Sequence, residues 1–178
     1  FKPRVVNGYA LIGVCMIRFK QLRPAFLPKL FGGLRSENAA HRISVEWDSV
    51  DGRQTGVYVT RRDTNSRLVA LSGGRLFPGV HSRVSFQLNE DGERVDIGIE
   101  DHAGSLVSLR SRKSAAFSSS VFANHAAASE YFSDDKIGYS PSRRSNKAEG
   151  LQLHCHKWET TSLDVEEANV REFEALSQ

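Results

Sequence analysis

Apolar residues recur at every second position along much of this chain, the period of strands that bury one face. In 41–47 (HRISVEW), Ile43, Val45 and Trp47 share a face, and in 80–88, Val84, Phe86 and Leu88 do. In 151–158, Leu151, Leu153 and Cys155 oppose Gln152, His154 and His156. Residues 5–19 hold the first strand beside an Asn7-Gly8 turn and include the longest apolar run, ALIGVCMI at 10–17. Further strands are expected over 56–61, 94–100, 105–110 and 163–165, with turns at Asp51-Gly52, 89–92 and 101–104. Helical spacing occurs in three places. Leu68 and Leu71 follow the capping run Thr64-Asn65-Ser66 and stop at Gly73-Gly74. Val121, Ala128, Tyr131 and Phe132 follow the serines 118–120, and 170–176 could close the chain as a short helix. Residues 21–33 and 133–146 read as loops.

Seven or eight strands with a few short helices, and no internal repeat or low-complexity linker, predict a β-rich α+β domain spanning 1–178. At 178 residues the chain can bury a core without disulfide or metal staples. Its 39% hydrophobic content and mean hydropathy of −0.40 belong to a globular chain. An apolar run of eight residues is too short to span a bilayer, so no membrane partner is expected. Two cysteines, Cys15 and Cys155, make no disulfide framework, and a reduced cytoplasmic protein is the simplest reading, with a single bridge left open. The chain starts at Phe1 and reaches its first strand at once, which suggests a fragment.

Net charge is +3, carried by 17 arginines against 7 lysines. Arginine excess favours bidentate capture of carboxylate or phosphate. The arginines are scattered and form no basic stripe, which argues against nucleic acid as a partner. Three groupings could carry chemistry. Arg61-Arg62-Asp63 ends a strand, so its two arginines point to opposite faces and at most one serves a given pocket, while Asp63 can pair with either or cap the next helix. The corner GGRLFPGVH at 73–81 brings Arg75, an anion binder, and His81, which titrates near neutral pH, beside glycines that let backbone approach a ligand. His154 and His156 stand about 6.8 Å apart if 151–158 is one strand, two metal ligands in need of a third. No spacing fixes that third ligand, and a solvated polar strand face is the competing account. Neither a nucleophile elbow nor a phosphate-binding glycine loop is present.

Asn7-Gly8-Tyr9-Ala10, SENAAHR at 36–42, Arg61-Arg62-Asp63-Thr64, GGRLFPG at 73–79 and Gly138-Tyr139-Ser140, taken together, resemble a bacterial family of uncharacterised proteins related to acetoacetate decarboxylase. The resemblance covers nearly the whole chain. It implies an antiparallel β-barrel or cone with helices at its side, enclosing a cavity for a small molecule. It also implies a correspondence of Glu37 to a pocket carboxylate. In the decarboxylases a Gly-Arg-Glu helix end precedes Pro-Lys-Lys, and one lysine forms a Schiff base with a β-keto acid. Here Gly74-Arg75 is followed by Leu76, the lysine region reads Pro78-Gly79-Val80-His81, and no lysine lies between Lys29 and Lys113. An imine needs an amine, so decarboxylation by that route is not expected. The resulting expectation is an organic-acid-binding protein or enzyme, without cofactor, using Glu37, Arg62, Arg75 and His81, with homo-oligomerisation left open. The alternatives are a metal enzyme built on His154 and His156, and a non-catalytic interaction protein.

Overall fold

The computed structural model describes residues 1–23, 28, 33–74, 78–142, 147–154 and 157–174. Its strands are β1 (Lys2–Pro3), β2 (Val5–Val6), β3 (Tyr9–Ala10), β4 (Ile12–Leu22), β5 (Leu34–Ser49) and β6 (Gly52–Thr64). Helix α1 (Arg67–Ser72) follows, then β7 (His81–Arg83), β8 (Ser85–Glu90), β9 (Arg94–Asp101) and β10 (Gly104–Lys113). The remainder is α2 (His125–Asp134), β11 (Ile137–Pro141), β12 (Ala148–Gln152), β13 (Leu163–Val170) and α3 (Arg171–Glu174). The β-rich α+β class is therefore present. The chain groups into two compact units, Phe1–Arg83 with Asp134–His154, and Val84–Ser133 with Cys155–Gln178.

In the first unit β5 and β6 form a long hairpin, from Ser49↔Gly52 at its turn to Asn38↔Thr64. β4 lines the outer edge of β5 from Ile12↔Ile43 to Leu22↔Leu34, and β1 continues that edge. The far edge of β6 takes two parallel partners, β11 at Gly138↔Val57 and β7 at Arg62↔His81, and β12 then pairs with β11. The sheet is thus mixed and open. It corrects the expected antiparallel barrel, because among the described residues no ladder returns from β12 to β4. The small β2–β3 hairpin turns at Asn7 (φ 48°) and Gly8 (φ 85°), the two positive angles that a type I′ turn requires.

One irregularity organises the sheet. Arg42 opposes Val59 while His41 opposes Arg61, so Thr60 is an extra residue, a β-bulge. Strand alternation alone would put Arg62 opposite Val57 and Val59. The bulge reverses the parity, and Val57, Val59 and Arg62 share one face with Ala40, Arg42 and Ser44 of β5. Ala40, Val57 and Val59 form a buried apolar cluster there. The other face carries His41, whose Nε2 lies 3.0 Å from Asp63 Oδ2, and Arg61, whose Nε donates to both Asp63 oxygens at 2.8 and 3.1 Å. Asp63 thus pairs with Arg61, and the cap of α1 is Ser66, whose Oγ accepts from Val69 N.

The second unit is an antiparallel sheet in the order β13-β10-β9-β8, with Ile99 and Leu106 fully buried. Arg94 and Arg112 pair with Glu166 across it. Four expected elements differ. The strand over 80–88 breaks at Val84: β7 joins the first sheet and β8 the second. The second helix begins at His125, because Asn124 Oδ1 caps Ala127 N at 2.9 Å. Ser119 instead closes a turn onto the amides of Val121 and Phe122. The polar stretch 133–146 holds β11, and the strand expected over 151–158 ends at Gln152.

Candidate functional site

The shared face of the first sheet borders a cavity of about 100 Å³. Its walls are apolar: Ile17 and Phe19 of β4, Val57 and Val59 of β6, Val69 of α1, and Leu151 and Leu153 at and beyond the end of β12. A water needs roughly 10–15 Å³ measured this way, so the space suits a molecule of several heavy atoms. The groups able to act on such a molecule are Arg62, His81, Asp135, Arg42, Lys136 and Cys15.

Arg62 is the central one. Its Nε donates to Ser140 Oγ at 2.9 Å. Among the described residues no carboxylate lies within ion-pairing distance of its guanidinium. Burial lowers its pKa from the ordinary arginine value, because a cation is being held away from water; the nearby Cys15 thiol acts in the opposite sense. Cys15, Ala40 and Arg62 lie side by side across three strands, since Cys15 opposes Ala40 and Ala40 opposes Arg62. Glycines make room for the arginine stem. A Cβ on Gly79 (φ 77°) would stand 2.8 Å from Ser140 Cβ and 3.1 Å from Arg62 Nε. At Gly138 the missing side chain is what leaves the space open: a Cβ there would meet Val57 at 3.4 Å, Val59 at 3.7 Å and Arg62 Nη2 at 3.8 Å.

His81 is the register neighbour of Arg62 on β7. Its Nδ1 lies 3.2 Å from Gly79 O, a carbonyl that only accepts, so Nδ1 carries a proton in this arrangement. Asp135 precedes β11 and its side chain is 1% exposed. Ser44 Oγ donates to its Oδ2 at 3.1 Å, and Arg4 Nη1 stands 3.7 Å from Oδ1, held there by the bond from Arg4 N to Ser44 O. Desolvation raises the Asp135 pKa, against the lowering effects of Arg42, Ser44 and Arg4. A half-buried, desolvated cation and a buried acid on one apolar cavity are the kind of perturbed pair that marks functional sites.

Of the sequence candidates, Arg62 and His81 meet at this cavity. Glu37 does not border it: as an odd-numbered residue of β5 it points to the opposite face, where Arg18 Nε donates to its Oε1 at 2.7 Å. Arg75 lies outside the described residues, as does His156. His154 is exposed beyond the end of β12, and the described residues contain no group of three potential metal-ligating side chains. Asp135, Arg42 and Lys136 are additions that sequence reasoning missed. Lys136 is exposed at the cavity wall and is the one lysine bordering it among the described residues. Gly138, recognised in sequence only as part of a motif, borders the cavity, and Ser140 of the same motif holds Arg62. No helix among the described residues is long and apolar enough to cross a membrane. No family model matches the chain, and no curated protein matches its sequence.

Proposed function

We propose that the first unit binds a small organic acid, with the carboxylate on Arg62 and the carbon chain against Ile17, Val57, Val59 and Leu151. One observation carries this reading: a desolvated guanidinium on an apolar cavity with Ser140 as its hydrogen-bond partner and, among the described residues, no carboxylate within ion-pairing distance. A buried cation without a counter-charge costs stability, and an incoming carboxylate would offset that by a charge-assisted, bidentate bond. His81 beside it would supply a second polar contact or a proton.

The arrangement fits an acetoacetate-decarboxylase-like ancestry in which the pocket persists and the reaction does not. The corner at 78–81 contributes Pro78 and His81 to the cavity and no amine. Lys136, the one lysine bordering the cavity among the described residues, is exposed and not at the position the resemblance gives the nucleophile, so binding without decarboxylation of acetoacetate is the activity proposed. The test is isothermal titration of the purified chain with butyrate, alongside the Arg62→Met variant. Saturable binding by the natural chain, lost in the variant, is expected. Binding that survives Arg62→Met, or no binding of any short monocarboxylate, refutes the assignment.

A further inference from the structure

The cavity has a second polar end. Asp135 lines it with a side chain that is 1% exposed. Oδ2 accepts from Ser44, whereas Oδ1 has no hydrogen-bond partner among the described residues; Arg4 Nη1, at 3.7 Å, is beyond bonding range. A buried carboxylate oxygen left without a donor costs free energy, and here it borders the same space as Arg62. The Arg62 guanidinium reaches back over β11, where its Nη2 would stand 3.8 Å from a Cβ on Gly138. Gly138 opposes Val57, and Val57 opposes Ser44, the partner of Asp135. Two inter-strand spacings, roughly 10 Å, therefore separate Gly138 from Ser44, the positions beside the two ends. Allowing about 3 Å of hydrogen bond at each end leaves about 4 Å between the two contacting oxygens of the ligand, a span within reach of a hydroxy acid of three or four carbons.

We infer that the ligand is a short hydroxy-carboxylic acid, its carboxylate on Arg62 and its hydroxyl donating to Asp135 Oδ1. This rests on the organic-acid reading above and adds the chemistry of the far end. A hydroxyl fits better than an ammonium, because Arg42 and Arg4 already act on Asp135 and a third cation would be repelled.

The probes are butyrate, 4-hydroxybutyrate, 4-aminobutyrate and 6-hydroxyhexanoate, titrated calorimetrically into the full chain and into Asp135→Asn. A hydrogen bond to a charged group predicts that 4-hydroxybutyrate binds at least tenfold tighter than butyrate. 4-Aminobutyrate and 6-hydroxyhexanoate should bind more weakly than 4-hydroxybutyrate. In Asp135→Asn the preference over butyrate should shrink to about threefold or less. Equal affinity of the natural chain for butyrate and 4-hydroxybutyrate overturns the role of Asp135 while leaving the Arg62 anchor standing. So does a preference that persists in Asp135→Asn. Should that variant fail to fold, the four-ligand ranking on the natural chain decides the question alone. Absence of binding by all four removes both readings.

Discussion

If Arg62 is held for a ligand, the empty cavity should be less stable for containing it, and a double-mutant cycle with Ser140 measures this. Removing the Ser140 hydroxyl alone leaves a buried guanidinium without its 2.9 Å bond, a loss of about 1.5–3 kcal/mol for a charged donor. Removing the guanidinium alone, as Arg62→Met, relieves a half-buried ion, whose partial desolvation costs about 3 kcal/mol at the low end of the burial penalty. It also strands the hydroxyl of Ser140, which is 1% exposed, at about 1–3 kcal/mol. The net change should lie between zero and a gain of about 2 kcal/mol, the difference of those two terms. The double variant removes the ion and strands nothing, so a gain of about 1–4 kcal/mol is expected. At roughly 2–4 °C per kcal/mol for a chain of this size, the Tm order is Ser140→Ala, natural chain, Arg62→Met, then the double variant. Circular dichroism melts at pH 7 and low salt read this directly, with urea titration giving the free energies. A double variant less stable than the natural chain would refute the reasoning, since the guanidinium would then be a net contributor to folding.

Four further expectations follow from particular distances. Gly138→Ala adds a carbon at ordinary contact distances of 3.4–3.8 Å, so stability should hold or rise by a few tenths of a kcal/mol. Butyrate affinity should nevertheless fall, because the cavity narrows between Val57 and Arg62; unchanged affinity would place the ligand elsewhere. Gly79→Ala should instead lose about 1–3 kcal/mol, since it combines a φ of 77° with an approach of 2.8 Å to Ser140; a neutral result in a urea melt would contradict this backbone. For Asp135 the folded pKa lies above the ordinary value, so the native state holds that proton more tightly and its ionisation costs stability as pH rises through the folded pKa. Asp135→Asn should therefore raise Tm at pH 7, with the gain vanishing toward pH 3 where both chains carry a neutral group; an equal gain at both pH values would sink the account. Finally, borohydride reduction in the presence of acetoacetate should leave the protein mass unchanged, because the corner at 78–81 offers no amine; an adduct, mapped by mass spectrometry to Lys136 or any other lysine, would restore the imine route.

Local chemistry explains what was readable in the chain and where reading stopped. Asn7-Gly8, Ser66 and the 101–104 turn act through their own backbone angles and short side chains, so sequence locates them without knowledge of the rest. The cavity depends on register, which is a property of paired strands. Arg61 and Arg62 point to opposite faces, as adjacent strand residues must, yet which of them meets Val57 and Val59 is decided by Thr60, an exposed residue with nothing in its type to mark a bulge. Glu37 fails for the same reason: it is one residue out of phase with Asn38, which does border the cavity. A one-residue difference in a strand exchanges faces, so a motif read along the chain can nominate a carboxylate on the other face. Asp135 was hidden in another way. It lies in a polar run that reads as loop, and its partner Ser44 is 91 positions away, so only the parallel pairing of β11 with β6 carries it to the cavity. The cavity on this sheet is thus written partly in residues whose types are informative, Arg62 and His81. The rest is written in residues that become informative only after a bulge and a parallel strand have fixed the faces, which is why the acidic end of the cavity is the more demanding test of the proposed ligand.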